Sequence, residues 1–211
     1  MEALLHFLVA EDQTIFRDLL ISSIRQEFPG CRITEASSLA QLRELGNQDF
    51  SVAVVDLELS DGLALEWLEG WVRGTERKAM ILSAVSEDYT LFRALRSPIM
   101  GYVHKEDKTE TFKLALRCVL SGSIFFSPLM QSLRQRMNQD PDFFSKILSD
   151  REQKVLELIG GGMSNDEVSA ILGIKPASVK DHRKNIMTKL DLHTQADLMR
   201  YAAQKGFTRI G

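Results

Sequence analysis

The sequence predicts two domains, a doubly wound parallel α/β domain followed by an all-α domain of four helices. In residues 4–122, short apolar segments alternate five times with amphipathic helical patterns. Repeated β-α units of this kind are typical of a parallel sheet with helices on both faces. From residue 129 onward the strand signals stop and only helical patterns follow. The predicted boundaries are 1–124 for the first domain, 125–146 for a linker and 147–211 for the second domain.

The predicted strands are short, and the third has the clearest pattern. Its centre, from Val52 to Val55, is wholly apolar, as in strands that are buried on both faces of a sheet. Ser38 and Gln41 predict a capping box at the start of the second helix. The predicted strands are 4–10, 31–36, 51–57, 79–84 and 101–105, and the predicted helices are 14–28, one that follows residue 38, 63–72, 89–96 and 109–122.

The second domain is predicted from signals for helix starts and turns. Three pairs of residues have the spacing of a capping box; they are Ser149/Glu152, Ser164/Glu167 and Thr194/Asp197. Gly173 lies in the turn after the second helix, where helix-turn-helix units commonly carry a glycine. The segment before this domain is polar, rich in Met and broken by Pro141, so we predict a linker with some helix there.

Charge and composition narrow the class of protein. Residues 1–128 carry a formal charge of −6 and residues 129–211 carry +3, a division that points to nucleic acid as a partner of the second half. No apolar run approaches the ~18 residues that span a bilayer, and the first residues lack the basic start of a signal peptide. The two cysteines, Cys31 and Cys118, are widely spaced. We therefore expect a cytoplasmic protein with reduced thiols.

Polar side chains gather at the carboxyl ends of the predicted strands, which is where doubly wound domains bind ligands. They are Glu11 and Asp12 after the first strand, Asp56 in the third, Ser83 in the fourth and Lys105 in the fifth. Neighbouring carboxylates repel one another and take up protons unless a cation is present, and an oxygen-ligand site of this kind suits Mg²⁺. Asp56 can then act as a nucleophile on phosphorus, with Lys105 and Ser83 on the phosphoryl oxygens.

The segments AED, VVDLELSDG, ILSA and GYVHK resemble the receiver domain of two-component response regulators across residues 4–122. The resemblance implies a flavodoxin-like (βα)5 fold in which Asp56 is the phosphoacceptor. It implies Ser83 as the switch hydroxyl and Lys105 as the phosphate-binding lysine. It also implies that Mg²⁺ is held by Glu11, Asp12, Asp56 and the backbone carbonyl of Glu58.

Three positions near this site leave questions open. Tyr102 matches the aromatic residue that swings inward when the switch hydroxyl moves, but an aromatic that covers the edge of the core explains it equally well. Members of the receiver family usually carry Pro where Ser60 stands and Gly where Ala64 stands. We expect the first departure to loosen the loop after Asp56 and the second to restrict it.

The stretch from residue 148 to 206 resembles the LuxR-type helix-turn-helix DNA-binding domain at nearly every patterned position. Its third helix has Pro176 near its first turn, where a missing N–H costs nothing. Val179 and Ile186 lie on the face predicted to meet the core, and residues 175–189 carry a formal charge of +4. Such a helix suits the major groove of DNA.

The candidate DNA contacts lie on the second and third helices of that domain. We expect Lys180 and Lys184 to point toward base edges and Lys175, Ser178 and Arg183 to hold phosphates. Asn165 is a further candidate for phosphate, although its place at the start of a helix also explains it. Asp181 is unusual because an acid repels phosphate but can accept from cytosine N4, so we expect it to narrow the choice of DNA site. The candidate contacts are Asn165, Lys175, Ser178, Lys180, Asp181, His182, Arg183 and Lys184.

Together the two halves resemble the NarL/FixJ group of bacterial response regulators. This implies a transcription regulator that a sensor histidine kinase phosphorylates on Asp56 and that binds double-stranded DNA as a homodimer, with 194–205 as a dimer contact. We expect no enzymatic turnover beyond slow loss of the phosphoryl group. Two alternatives remain: a receiver that only binds proteins or dimerises, and an aspartyl-phosphate phosphatase, although such enzymes typically carry Asp where Glu58 stands.

Overall fold

The computed structural model describes residues 4–84 and 87–208. The described residues form two compact units, one of 4–84 with 93–134 and one of 87–92 with 135–208. The first unit contains the predicted sheet and the second contains the predicted helical domain.

Six strands of the first unit form one parallel sheet in the order β2-β1-β3-β6-β7-β8. The first five of these, in the order 2-1-3-4-5 by chain position, have the flavodoxin-like arrangement. Two short strands form a separate antiparallel hairpin. The strands are β1 (His6–Ala10), β2 (Arg32–Ala36), β3 (Val52–Val55), β4 (Glu58–Leu59), β5 (Gly62–Leu63), β6 (Ala79–Ser83), β7 (Gly101–His104) and β8 (Phe125–Phe126).

The central strands are buried because their side chains are apolar on both faces of the sheet. Phe7, Val54 and Met80 are inaccessible or nearly so, and helix residues such as Leu116 pack on them. The helices of the described chain are α1 (Thr14–Glu27), α2 (Leu39–Leu45), α3 (Leu65–Val72), α4 (Asp88–Arg96), α5 (Thr109–Leu120), α6 (Pro128–Gln139), α7 (Phe144–Ile147), α8 (Asp150–Gly160), α9 (Asn165–Leu172), α10 (Pro176–Lys189) and α11 (Gln195–Gln204).

Several elements in and after the first domain differ in their bounds from the predicted ones, and the predicted linker contains helix as expected. The third strand ends at Val55 instead of 57, because the chain turns into the β4–β5 hairpin, and the helix predicted from 63 begins at Leu65. The sheet continues past the predicted boundary at 124, since β8 pairs with β7. Most of the predicted linker is helical, with Pro141 between α6 and α7.

The helix starts follow the predicted caps. All three capping boxes of the second unit are present, at Ser149, Ser164 and Thr194. At α2 only half of the predicted box forms: the Ser38 hydroxyl accepts from the Gln41 amide at 3.2 Å, but the Gln41 side chain accepts from the amide of Ser37. Gly173 ends α9 in the left-handed conformation with φ of 63°, which glycine adopts without steric cost.

None of the helices in the described part of the chain is long and apolar enough to cross a membrane.

Candidate functional site

Two buried carboxylates lie side by side at the carboxyl edge of the sheet. Glu11 follows β1 and Asp56 follows β3, and the Asp56 amide donates to the Ala10 carbonyl at 2.9 Å. Glu11 is inaccessible and Asp56 is 4% exposed. One oxygen from each of Glu11, Asp12 and Asp56 lies within 4.8 Å of the others. The fold therefore gathers the three acids that the sequence placed at this edge.

The Lys105 side chain lies between two of these acids. Its Nζ donates to Asp56 Oδ2 at 2.7 Å and lies 2.7 Å from Glu11 Oε2. The residue follows β7, and its backbone amide donates to the Ser83 carbonyl at 3.0 Å. Lys105 is therefore close enough to neutralise charge on either carboxylate.

Burial shifts the pKa values of this cluster. It raises the pKa of both Glu11 and Asp56 above their ordinary values, although the hydrogen bond from Lys105 opposes the shift in each case. Burial works to lower the pKa of Lys105, but the hydrogen bonds and charges of Asp56 and Glu11 outweigh it and raise that pKa. One ammonium leaves part of the carboxylate charge unbalanced. A divalent cation would neutralise that remaining charge.

The donor set at this edge fits a hard cation. All three side chains offer carboxylate oxygens, which are the ligands that Mg²⁺ prefers, and Asp12 is only half-buried, which leaves access for the waters that Mg²⁺ usually retains. The Glu58 amide donates to Asp56 Oδ1 at 3.2 Å, so the backbone after the phosphoacceptor candidate bends back toward the site.

The two predicted switch residues are both buried. Ser83 ends β6 and is 5% exposed, and Tyr102 is 1% exposed. The Tyr102 hydroxyl bonds to the Ala94 carbonyl and lies 2.8 Å from the Ser97 hydroxyl, and the ring stacks on Phe126 at 5.0 Å between centroids. The tyrosine ring therefore already lies inside the first unit, beside the last turn of α4.

In the second unit, α10 buries one face and exposes a basic one. Val179 and Ile186 are inaccessible, as predicted. Lys175, Lys180, Asp181 and Lys184 are exposed, whereas Ser178, His182 and Arg183 are half-buried. A concave surface runs along this helix, and it is lined by Asn165, Lys180, Asp181, Arg183, Lys184 and Met187 among others.

Two contacts that fix α10 were not predicted. The Arg183 guanidinium donates to Asn165 Oδ1 at 3.0 Å, which joins α10 to the start of α9. At its other end, Lys189 Nζ donates to the buried Glu152 Oε2 at 2.7 Å. Sequence analysis had assigned Asn165 to phosphate and Glu152 to a capping box alone, because nothing in the local pattern marks a partner on another helix.

Comparison with known proteins finds a family match in the second unit and a relative over part of the chain. Residues 146–202 match the model of the GerE family, described as bacterial regulatory proteins of the luxR family. The oxygen regulatory protein NreC of Staphylococcus aureus (strain bovine RF122 / ET3-1) is 34% identical over 138 residues, which are 62% of this chain and 64% of the relative. The chain thus spans less than two thirds of the length of that curated relative.

Solved structures share the fold over nearly the whole chain. RcsB from Salmonella enterica serovar Typhimurium, bound to promoter P1flhDC in the presence of the phosphomimetic BeF3-, superposes with a TM-score of 0.64 at 20% identity, covering 96% of this chain and 99% of RcsB. The response regulator ChrA of a heme-sensing two-component system gives 0.53 at 21% identity, covering 97% and 99%. The predicted fold class and the predicted resemblance to response regulators are confirmed.

Proposed function

We propose that this protein is a DNA-binding transcriptional response regulator in which phosphorylation of Asp56 by a sensor histidine kinase promotes dimerisation and DNA binding. One observation carries the proposal: the Asp56 carboxylate lies 2.7 Å from the Lys105 ammonium and beside two further acids, on the same chain as a LuxR-type segment. The structural neighbours support it, since RcsB is described with promoter DNA and ChrA with a two-component system.

The residues around Asp56 are arranged for phosphoryl transfer. The Glu58 amide and the Lys105 ammonium each hold one carboxylate oxygen of Asp56, which fixes the orientation of the nucleophile. As the bond from phosphorus to an Asp56 oxygen forms, the bond from phosphorus to the kinase histidine nitrogen breaks. Lys105 then neutralises charge on the phosphoryl oxygens, and we assign the hydrogen bond from the protein to one of them to the Ser83 hydroxyl.

We assign the cofactor as Mg²⁺, held by the side chains of Glu11, Asp12 and Asp56 and by the Glu58 backbone carbonyl. When bound, Mg²⁺ supplies neutralisation of the acid cluster and of the phosphoryl oxygens. The carboxylate donor set of this edge supports the assignment.

We assign the DNA interface to α10 and the start of α9. Lys180 and Lys184 are exposed on one face of α10, a position from which a recognition helix reads base edges in the major groove. Arg183 is held by Asn165, so we assign this pair to phosphate contact. A homodimer joined through α11 would double the contacts, because two linked half-sites bind with greater avidity than one.

We infer that the protein accepts a phosphoryl group once per cycle and loses it slowly, so it is not an enzyme. A cytoplasmic location follows from its proposed partners, chromosomal DNA and a kinase.

A receiver that works without phosphorylation is the competing function, and the departures at Ser60 and Ala64 are what favour it.

The test compares oligomeric mass and DNA affinity with and without beryllofluoride and Mg²⁺. We expect a shift from monomer to dimer and tighter DNA binding in the wild-type protein, and neither change in Asp56→Asn. If the wild-type protein and Asp56→Asn bind DNA equally under both conditions, the phosphorylation-independent function replaces this one. Steady turnover of a small phosphate ester would instead support the phosphatase.

A further inference from the structure

We infer that Asp61 is a positioning residue for the phosphoacceptor site: its carboxylate fastens the β4–β5 hairpin to the start of α2 and so holds the loop that carries the Glu58 carbonyl. The inference rests on the proposed function, because it takes Asp56 and Glu58 as parts of a Mg²⁺ and phosphoryl site. Asp61 lies in the segment VVDLELSDG, but the resemblance to receiver domains implied no role for it.

The anchor consists of two hydrogen bonds between residues that are far apart in the sequence. Asp61 Oδ1 accepts from the Leu39 amide at 2.6 Å and Oδ2 accepts from the Ala40 amide at 2.9 Å. These are the first two amides of α2, which have no partner within the helix. Ser38 caps the next one, the Gln41 amide, at 3.2 Å. The start of α2 therefore depends on Asp61 as well as on its own cap.

The hairpin transmits this anchor to the site because it is short and closed by backbone pairing. Leu59 pairs with Gly62 and Glu58 pairs with Leu63, so Ser60 and Asp61 form the turn. The Ala64 amide donates to the Leu57 carbonyl at 2.9 Å and closes the loop behind the hairpin. Asp61 thus lies three residues after Glu58, whose amide contacts Asp56.

The anchor also restrains a turn that lacks the proline that receivers usually carry at position 60. Proline would restrict the turn by fixing one backbone angle. Here the restraint comes from the Asp61 side chain, which ties the turn to a helix. The hydrogen bonds from the Leu39 and Ala40 amides hold the pKa of Asp61 below its usual value, so the anchor is a carboxylate at neutral pH.

Asp61→Ala tests the inference against Ser38→Ala, a matched variant that also removes a cap from α2 but leaves the hairpin anchored. Binding of Mg²⁺ to the full chain is measured by calorimetry, and amide exchange of residues 57–64 is measured without metal. We expect Asp61→Ala to raise the Kd for Mg²⁺ about tenfold, as loss of a supporting contact behind a metal ligand does, and to speed exchange at Ala64. Asp61→Asn, which keeps one acceptor oxygen, should recover part of the affinity.

The thermal unfolding temperature without Mg²⁺ separates positioning from stability. Ser38→Ala should lower it about as much as Asp61→Ala, yet leave the Kd for Mg²⁺ unchanged. If Asp61→Ala binds Mg²⁺ as the wild-type protein does, or if Ser38→Ala weakens binding equally, the inference is wrong. If the wild-type chain itself binds no Mg²⁺, the proposed function fails instead.

Discussion

Lys105 and Asp56 form a buried ion pair of 2.7 Å, and the same ammonium lies 2.7 Å from Glu11. One cation thus serves two carboxylates whose side chains are 1% and 4% exposed. Since burial raises the pKa of both acids, the cluster is electrostatically costly even with the lysine present. This cost supports the proposed assignment of Mg²⁺ and a phosphoryl group to this cluster.

Removal of that lysine should destabilise the first unit strongly in the absence of metal. Because Lys105→Ala leaves two buried carboxylates without a cation, we expect a loss of about 3 kcal/mol of unfolding free energy in EDTA, much of it recovered with Mg²⁺. Urea denaturation with EDTA and with Mg²⁺ measures the unfolding free energy in each condition. The control is Lys113→Ala, which breaks a pair whose acid Glu110 is exposed and should change stability by less than about 1 kcal/mol. Equal effects of the two variants would contradict this account of the cluster.

The Glu152–Lys189 pair should stabilise the second unit in a pH-dependent way. Glu152 is buried, which works to raise its pKa, but the hydrogen bonds from Lys189 and Ser149 outweigh that effect and lower the pKa below 4.5. A lowered acid pKa means stability that is present above pH 4.5 and is lost as the pH falls through the lower value. We expect Glu152→Gln to cost about 2 kcal/mol at pH 7.

Chemical denaturation across the acidic range measures this dependence. The difference between Glu152→Gln and the wild-type protein should shrink as the pH falls below 4.5, the ordinary value for Glu. Asp166→Asn, at an exposed acid of the same unit, serves as a control for a general loss of negative charge. If the difference in unfolding free energy between the two proteins stays constant down to acid pH, the charges of the Glu152–Lys189 pair contribute nothing to stability.

The Arg183–Asn165 contact should matter for DNA affinity but not for sequence preference. We expect Asn165→Ala to weaken binding several-fold on every DNA sequence, because it releases the guanidinium that it holds at 3.0 Å. Arg183→Ala should weaken binding further. It should also reduce the slope of log affinity against log salt concentration by about one, because one phosphate contact is lost. Titrations at several salt concentrations measure both effects. A change in the preferred sequence with Asn165→Ala would instead place this residue against the bases.

Asp181 should affect the choice of DNA site. It is exposed on α10 among basic residues, so Asp181→Ala should tighten binding to unrelated DNA, because a negative charge facing phosphates is removed. It should also relax the preference at one base pair, since an acid can accept from cytosine N4. Selection from a random DNA library measures the preference. If the selected site is unchanged, Asp181 has no part in specificity.

The sequence predicted which side chains meet at this edge of the sheet because these residues follow apolar strands directly. Val52 to Val55 must be buried because they are apolar. Asp56 follows them directly, so it lies at the carboxyl edge of the sheet for any conformation of the loops. The capped helix starts of the second unit were equally local signals. In both cases the information lies within a few residues of the feature that it determines.

The missed features depend on contacts between distant residues or on strands too short to show a period. Asp61 bonds to an amide 22 residues earlier, and Glu152 bonds to a lysine 37 residues later. The β4–β5 hairpin and β8 have strands of two residues, in which alternation cannot be seen. Tyr102 was ambiguous because its side-chain direction depends on the last turn of α4, which no local pattern reveals.

Phosphorylation of Asp56 is the most direct test of the central claim. Purified protein is incubated with acetyl phosphate and Mg²⁺, and its intact mass is measured beside that of Asp56→Asn and of Asp49→Asn, an exposed acid in the same unit. The proposed function predicts the gain of one phosphoryl group in the wild-type protein and in Asp49→Asn, and none in Asp56→Asn. A wild-type chain that gains no phosphoryl group, or an Asp56→Asn chain that gains one, would contradict it.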